Sequence, residues 1–149
     1  GHEYQEIFAE SKTLAEILEL HLGQIRDGDY FAILGYVEMN AQHEELLQTL
    51  RKKVLDRKGV ATCLGFGPRF LHSTGQAYKG GANSGVFLQI TSDDAADLPV
   101  PGQTYTFGVV KAAQSRGDFQ VLVDRGRRAL RVHLGSHVTE ELKKLAALI

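Results

Sequence analysis

The chain alternates short apolar runs with longer segments of helical periodicity, and this alternation constrains its fold more than any other feature of the sequence. Residues 30–37 are apolar at almost every position, which is typical of a strand buried on both faces of a parallel sheet. The segments between such runs place apolar residues three or four positions apart, as amphipathic helices do. The order α-β-α-β-α-β-α-β-α predicts an α/β fold of three layers, with a mostly parallel sheet of four to five strands between helices.

Capping and chain-breaking residues set the predicted boundaries. Asn40 is a favourable N-cap for the second helix, which ends near Gly59. Pro68 suits the first position of the third helix, which is expected to be interrupted or loosened near Gly75. Gly117 stops the next helix, so that Asp118 caps a separate short one. The predicted strands are residues 30–37, 60–66, 86–91 and 129–134, and the predicted helices are residues 3–26, 40–59, 68–79, 105–116, 118–125 and 138 onward.

Two further segments have distinctive patterns. Residues 129–134 alternate apolar and polar side chains, which predicts a half-exposed strand near an edge of the sheet. Residues 92–103 contain two prolines and a glycine and form the longest predicted loop, which in a compact domain is typical of a functional or disordered segment.

Length and composition bound the class of protein. The chain has 149 residues, of which 43% are hydrophobic, and this is enough for the core of one domain. The formal net charge of −1 gives no general attraction to nucleic acid or to a membrane surface, so a small polar ligand is favoured. The single cysteine, Cys63, cannot form an internal disulfide and is predicted to be a buried core thiol in a reducing compartment.

The ends of the chain and its hydropathy bear on location. No apolar run reaches the roughly 20 residues that span a bilayer, and the N-terminus has no apolar signal-peptide region, so we expect a cytoplasmic protein. Gly1 and His2 are expected to be a remnant of tag removal, with residues 3–149 forming a single domain taken from a longer chain.

The segment of residues 65–81 carries the most suggestive chemistry. His72, Gln76 and Lys79 follow a predicted strand and glycine turn, and their spacing of i, i+4 and i+7 puts them on one face if the segment is helical. Open α/β sheets bind ligands where a strand passes into a helix, so these side chains predict a sugar-handling site. His72 could transfer a proton near neutral pH, or it could simply hydrogen-bond nearby backbone. Arg69 and Lys79 could hold a phosphate or carboxylate, or could be a solvated face.

Other candidates predict less. Ser73 lies next to His72 but no G-x-S-x-G turn surrounds it, so we do not expect a hydrolase nucleophile. The arginines of residues 125–131 form a basic cluster without interleaved aromatic residues, which favours a salt-bridged surface over a nucleic-acid site. The remaining histidines lack the spacing of metal ligands, so neither a metal nor a cofactor is expected; they are His21, His43, His133 and His137.

Two motifs support a family resemblance. They are Gly67-Pro-Arg-Phe-Leu-His-Ser-Thr-Gly-Gln-Ala-Tyr-Lys-Gly-Gly81 and Ser84-Gly-Val-Phe-Leu-Gln-Ile-Thr91. Both closely resemble the C-terminal part of the bacterial bifunctional transaldolase/glucose-6-phosphate isomerases, and the similarity continues through residues 105–108, 113–114, 117–118 and 126–134. The resemblance implies a sugar-isomerase (SIS) fold and an enzyme that interconverts glucose 6-phosphate and fructose 6-phosphate.

The same resemblance implies roles for individual residues. His72 is expected to open the sugar ring in a site that a second subunit completes, so that the protein is a homodimer. Lys111 resembles the family's catalytic lysine, although it follows its glycine sooner, and Gln114 is the other candidate for that position. The remaining expected substrate-binding residues are Arg69, Ser73, Gln76 and Lys79.

The proton-transferring glutamate of the family has no counterpart here. The triplet Glu10-Ser11-Lys12 lacks the glycine of the family's Glu-Ser-x-Gly-Lys loop and falls in a predicted helix, so it is expected to be surface. We therefore expect the isolated chain to be inactive and its partners to be a sugar phosphate and the remaining SIS and transaldolase domains of the parent. The alternative is a non-catalytic sugar-phosphate-binding or dimerisation module.

Overall fold

The structure, a computed structural model, describes residues 13–149 and forms one four-stranded sheet between two layers of helices. The strand order is β2-β1-β3-β4, and all neighbouring strands are parallel. The predicted three-layer α/β architecture is therefore confirmed, with four strands. In chain order the elements are α1 (Leu14–Leu22), β1 (Tyr30–Tyr36), α2 (Ala41–Lys58), β2 (Ala61–Phe66), a 3-10 turn (Arg69–His72), α3 (Thr74–Gly80), β3 (Gly85–Ser92), α4 (Phe107–Asp124), β4 (Arg128–Leu134) and α5 (Val138–Ala147).

The two faces of the sheet carry separate hydrophobic clusters. Helices α1, α2 and α5 cover one face, where the larger cluster includes Leu22, Ile33, Leu50, Leu88 and Leu145. Helices α3 and α4 cover the other face with a smaller, more aromatic cluster. That smaller cluster contains Ala32, Leu34, Tyr36, Phe70, Tyr78, Phe87, Leu122 and Ala129. None of the helices in residues 13–149 is long and apolar enough to cross a membrane.

Side-chain caps begin the long helices where the sequence contains them. The Asn40 carboxamide accepts a hydrogen bond from the backbone N–H of His43 at 2.8 Å, and the Thr106 hydroxyl accepts one from Val109 at 3.3 Å. Helix α2 ends at Gly59, whose φ of 67° is a left-handed conformation that glycine adopts without strain. The prediction that a helix extends from Asn40 to Gly59 is thus confirmed.

The predicted interruption of the third helix near Gly75 is confirmed, because the chain makes a 3-10 turn and restarts at Thr74 after an irregular Ser73. Two other predicted boundaries were wrong or lie outside the described residues. Residues 105–116 and 118–125 do not form two helices, because α4 runs unbroken through Gly117 and Asp118. The part of the first predicted helix over residues 3–12, with the triplet at 10–12, lies outside the described residues.

The break before α3 has a steric cause at Gly75. A Cβ atom at this position would lie 2.7 Å from the carbonyl oxygen of Phe70. Because glycine has no Cβ, the first turn of α3 can fold tightly against the preceding 3-10 turn.

The arginines of the basic cluster make contacts within the chain. The predicted salt bridge is found for Arg128, whereas Arg125 and Arg127 bind backbone carbonyl oxygens. The Arg128 guanidinium binds both carboxylate oxygens of Asp29, at 2.6 and 2.9 Å, and this holds the pKa of Asp29 below its usual value. Arg125 and Arg127 instead donate to the carbonyl oxygen of Lys79, at 3.3 and 2.8 Å, near the end of α3. These contacts join the amino-terminal ends of the strands to the connection that leads from α3 into β3.

Two other predictions concern single features. Strand β4 lies at an edge of the sheet, as its alternating pattern predicted. Cys63 is partly buried rather than fully enclosed, and its Sγ lies 3.2 Å from the hydroxyl of Tyr78.

Candidate functional site

The topology creates a crevice at the carboxyl ends of the strands. From β1 the chain crosses to β2 on one side, and from β3 it crosses to β4 on the other, so the connections diverge between β1 and β3. Ligands of open α/β sheets bind at such points. A cavity of about 410 Å³ lies here beneath the start of α4, and we call it the crevice. It is lined by Tyr36, Thr91, Ser92, Asp93, Asp94, Asp97, Gly108, Val109, Lys111, Ala112, Ser115, Arg131 and His133.

A second cavity of about 390 Å³ adjoins the crevice at Ser92, Asp93 and Asp94. It lies between the N-termini of α2 and α5 and is lined by two histidines, His43 and His137, of which His43 is buried. The Nε2 atom of His43 lies 3.0 Å from the Thr139 hydroxyl, and its Nδ1 atom lies 2.8 Å from the Glu38 carbonyl oxygen. Both ring nitrogens are therefore engaged within the fold.

Polar side chains of β3 and β4 lie side by side at the crevice. Thr91, Arg131 and His133 line it, and in the parallel register Thr91 pairs with His133 and Arg131 pairs with the buried Gln89. The Nδ1 atom of His133 lies 2.8 Å from the Thr91 hydroxyl, and its Nε2 atom lies 3.2 Å from a carboxylate oxygen of Asp93. Both ring nitrogens of His133 therefore have a hydrogen-bond partner within the fold.

The loop between β3 and α4 is tied down by its own carboxylates. Asp94 forms an ion pair with Lys111. Asp97 accepts hydrogen bonds from the backbone N–H groups of Leu98 at 2.9 Å and Gly108 at 2.8 Å. A hydrogen bond from Thr106, followed by those backbone donors, lowers the pKa of Asp97. These contacts anchor the part of the loop whose Asp93, Asp94 and Asp97 line the crevice.

Arg131 differs from the other charged groups of the crevice. Its side chain is partly buried, and within residues 13–149 its guanidinium forms no hydrogen bond or ion pair. Burial, and then repulsion from Arg116, lowers the pKa of Arg131. The crevice thus contains a cation that forms no direct ion pair with the described part of the chain.

The predicted residues of the 65–81 segment do not line the crevice. His72 is exposed, and its imidazole makes no hydrogen bond or ion pair within the described residues. Gln76 is also exposed, with its amide nitrogen donating to the Leu71 carbonyl oxygen at 2.8 Å. Arg69 and Ser73 are exposed as well, with Arg69 Nη1 at 3.4 Å from the sulfur of Met39.

Lys79 is separated from its expected neighbours. The condition for His72, Gln76 and Lys79 to share one helical face is not met, because the irregular Ser73 interrupts the helix between the first two. The Lys79 ammonium points towards α4 and lies 2.6 Å from a carboxylate oxygen of Asp118, with the two side chains 17% and 2% exposed. Lys79 is therefore engaged inside the chain.

The two expected catalytic residues lie at different places on the sheet. Lys111 lines the crevice, whereas Gln114, the other candidate, is exposed and does not. His72 follows β2, which lies two strands from β3, and two strand spacings amount to about 10 Å. His72 lines neither of the two cavities at the ends of β1, β3 and β4.

Sequence reasoning missed the residues that form the crevice itself, notably Tyr36, Thr91, Arg131 and His133. One signal was available. The polar positions of β4 were interpreted as solvent-facing, but Gln89 and Thr91 interrupt the neighbouring apolar strand on the same face. Polar residues at alternate positions of two strands would have indicated a polar interior site.

Comparison with known proteins identifies a solved structure of similar fold. No protein-family model and no curated protein matches the sequence. The structure is similar to that of hypothetical protein TT0462 from Thermus thermophilus, with a TM-score of 0.74 and 16% sequence identity. The match covers 99% of this chain and 40% of that protein, so the chain spans well under half of its length. At this identity the similarity shows the shared fold alone.

Proposed function

We propose that this chain is part of a glucose-6-phosphate isomerase within a transaldolase/isomerase parent, and that it contributes to two active sites of a homodimer. Lys111 serves the crevice of its own chain. His72 serves the site of the partner chain. The observation that carries this proposal is the separation of Lys111 in the crevice from an exposed, unengaged His72 beyond the far strand.

The chemistry assigns each residue a limited task. Ring opening requires a proton to leave the anomeric hydroxyl and a proton to reach the ring oxygen, and an imidazole can do both near neutral pH. The Lys111 ammonium, held by Asp94, can stabilise negative charge that develops on the sugar oxygens. Isomerisation also needs a carboxylate that moves a proton between C1 and C2, and the proposal assigns this group to another part of the parent protein.

Isomerase activity of the full-length gene product tests the proposal. With fructose 6-phosphate as substrate, His72→Ala should lower kcat about 100-fold or more, as expected for loss of a general acid/base. Lys52→Ala, a change of an exposed residue on α2, should leave kcat unchanged. Absence of turnover by the wild-type gene product would contradict the isomerase and favour the non-catalytic module.

Mixing two inactive variants tests whether the sites are shared. If His72 and Lys111 act in sites of different chains, a mixed dimer of His72→Ala and Lys111→Ala chains contains one intact site. Re-equilibrated equal mixtures should then recover about a quarter of wild-type activity, because half of the dimers carry one good site of two. Mixtures that stay inactive would place both residues in the same site and contradict the shared arrangement.

A further inference from the structure

The inner face of the sheet beneath α4 changes character along the strands. On this face β3 and β4 begin with the apolar Phe87 and Ala129 and continue towards the crevice with polar residues. Those polar residues are Gln89, Thr91, Arg131 and His133. The opposite face of the same strands stays apolar, with Leu88, Ile90, Val132 and Leu134 in the large cluster. Burying polar groups is unfavourable unless they find partners, so a polar strip on one face needs a reason.

The carboxylates around the crevice are already engaged. Asp94 is paired with Lys111, and Asp97 accepts hydrogen bonds from backbone N–H groups. One oxygen of Asp93 faces His133. The Arg131 guanidinium has no hydrogen-bond or ion-pair partner within residues 13–149, so its N–H donors are available to a ligand.

We propose that the crevice binds the phosphate group of a sugar phosphate at Arg131, and that Asp93 binds the hydroxyl groups of the sugar. The choice of a sugar phosphate rests on the proposed function, whereas the anion site depends only on the crevice. A guanidinium presents two parallel N–H donors that match two phosphate oxygens, and a partly buried site strengthens this pairing. His133 is a positioning residue, because it holds one Asp93 oxygen at 3.2 Å while the carboxylate stays exposed to a ligand.

The dimensions and neighbours of the crevice are suitable for such a ligand. Its volume of about 410 Å³ falls in the range of pockets that enclose small molecules. The ring of Tyr36 forms part of the wall, and Lys111 adds a second cation on the α4 side. A phosphorylated hexose can therefore place its charged end towards β4 and its hydroxyl groups towards the loop that follows β3.

Titration of the chain with three probes tests the site. Fructose 6-phosphate and inorganic phosphate should shift the NMR signals of Arg131 and its neighbours, whereas fructose should not shift Arg131. Arg131→Gln should weaken fructose 6-phosphate binding about 10-fold to 100-fold, the usual effect of losing a charge-assisted hydrogen bond. Arg131→Lys should lose less, because the charge remains. Lys52→Gln removes the same charge from exposed α2 and should have no effect.

The outcomes separate this inference from the isomerase proposal. If a large excess of fructose 6-phosphate does not shift the NMR signals of crevice residues in the wild-type chain, the proposed site is contradicted. This result does not depend on the folding of any variant. Unchanged affinity in a folded Arg131→Gln variant would overturn the inference even if His72→Ala abolishes isomerase activity. Binding that depends on Arg131 in a gene product without isomerase activity would support the anion site and contradict the isomerase.

Discussion

Lys79 has a side chain that could bind a phosphate, but in this structure its role is to hold two helices together. Its ammonium lies 2.6 Å from a carboxylate oxygen of Asp118, which is 2% exposed, and the pair joins α3 to α4. Tyr36 lies beside the same carboxylate, and burial together with this charge raises the pKa of the Tyr36 hydroxyl. A lysine held in this way stabilises the arrangement of two helices, and its ammonium group is not available to bind a ligand.

Removing one charge of this pair should be costly. Asp118→Asn leaves the Lys79 ammonium without its counter-ion, and we expect the free energy of unfolding in urea to fall by about 3 kcal/mol. The double variant Lys79→Met, Asp118→Leu should lose less than the single one, since no buried charge remains. As a control, Glu19→Gln breaks the more exposed pair with Arg57 and should change stability by under about 1 kcal/mol. An equally small effect of Asp118→Asn would return Lys79 to the candidate ligand-binding residues.

At the scale of elements, the clearest wrong prediction was the division of α4 into two helices. Gly117 and Asp118 predict a helix end and a new cap by local preference. The helix continues because its inner face packs Ser115, Asp118 and Leu122 against the sheet, and Asp118 uses its carboxylate for Lys79 instead of a cap. Long-range packing thus decided a boundary that local preferences would have placed elsewhere.

Gly117→Ala distinguishes the two descriptions of α4. A Cβ atom at Gly117 would lie in open space inside a continuous helix, so alanine should raise the free energy of unfolding by about 0.5 to 1 kcal/mol. Gly126→Ala provides the contrast, because its φ of 66° strains any L side chain and should lower stability. Thermal or urea unfolding measures both. A loss of stability in Gly117→Ala would indicate a helix end at this residue.

The strands and the site differ in how far sequence could predict them. The apolar run of β1 and the caps Asn40 and Gly59 are local signals, and the elements form where those signals lie. The crevice instead joins Tyr36, Thr91 and Arg131, which are far apart in sequence and meet only through the strand order β2-β1-β3-β4. The polar positions of β3 and β4 hint at such a site, but the sequence does not show that these two strands are neighbours.

At the scale of the whole molecule, a buried histidine couples stability to pH. His21 at the end of α1 is fully buried, and burial lowers its pKa from 6.5 to about 3, an effect that its hydrogen bond with the Phe87 backbone only partly offsets. The unfolded chain binds a proton below pH 6.5 that the folded chain rejects, so stability is full above this pH and declines as the pH falls towards 3. Between pH 7 and pH 5 this histidine should account for about 2 kcal/mol of lost unfolding free energy.

Urea unfolding at the two pH values isolates this contribution by comparison with His21→Gln. The variant has no titrating group at this position, so its stability should decline less between pH 7 and pH 5 than that of the wild type. Equal declines would show that the pKa of His21 does not differ between the folded and the unfolded chain. The comparison uses differences within each protein, so any loss of packing in the variant at pH 7 does not affect it.

The unequal faces of the sheet have a consequence for local opening. Helices α1, α2 and α5 close over the larger apolar cluster, whereas α4 rests partly on polar side chains and adds less hydrophobic stabilisation to its half of the molecule. We therefore expect its backbone amides to open to solvent at a lower free-energy cost than those of α2. A ligand that contacts both α4 and the strand ends raises that cost in proportion to the logarithm of its concentration above its Kd, so occupancy of the crevice and rigidity of α4 change together.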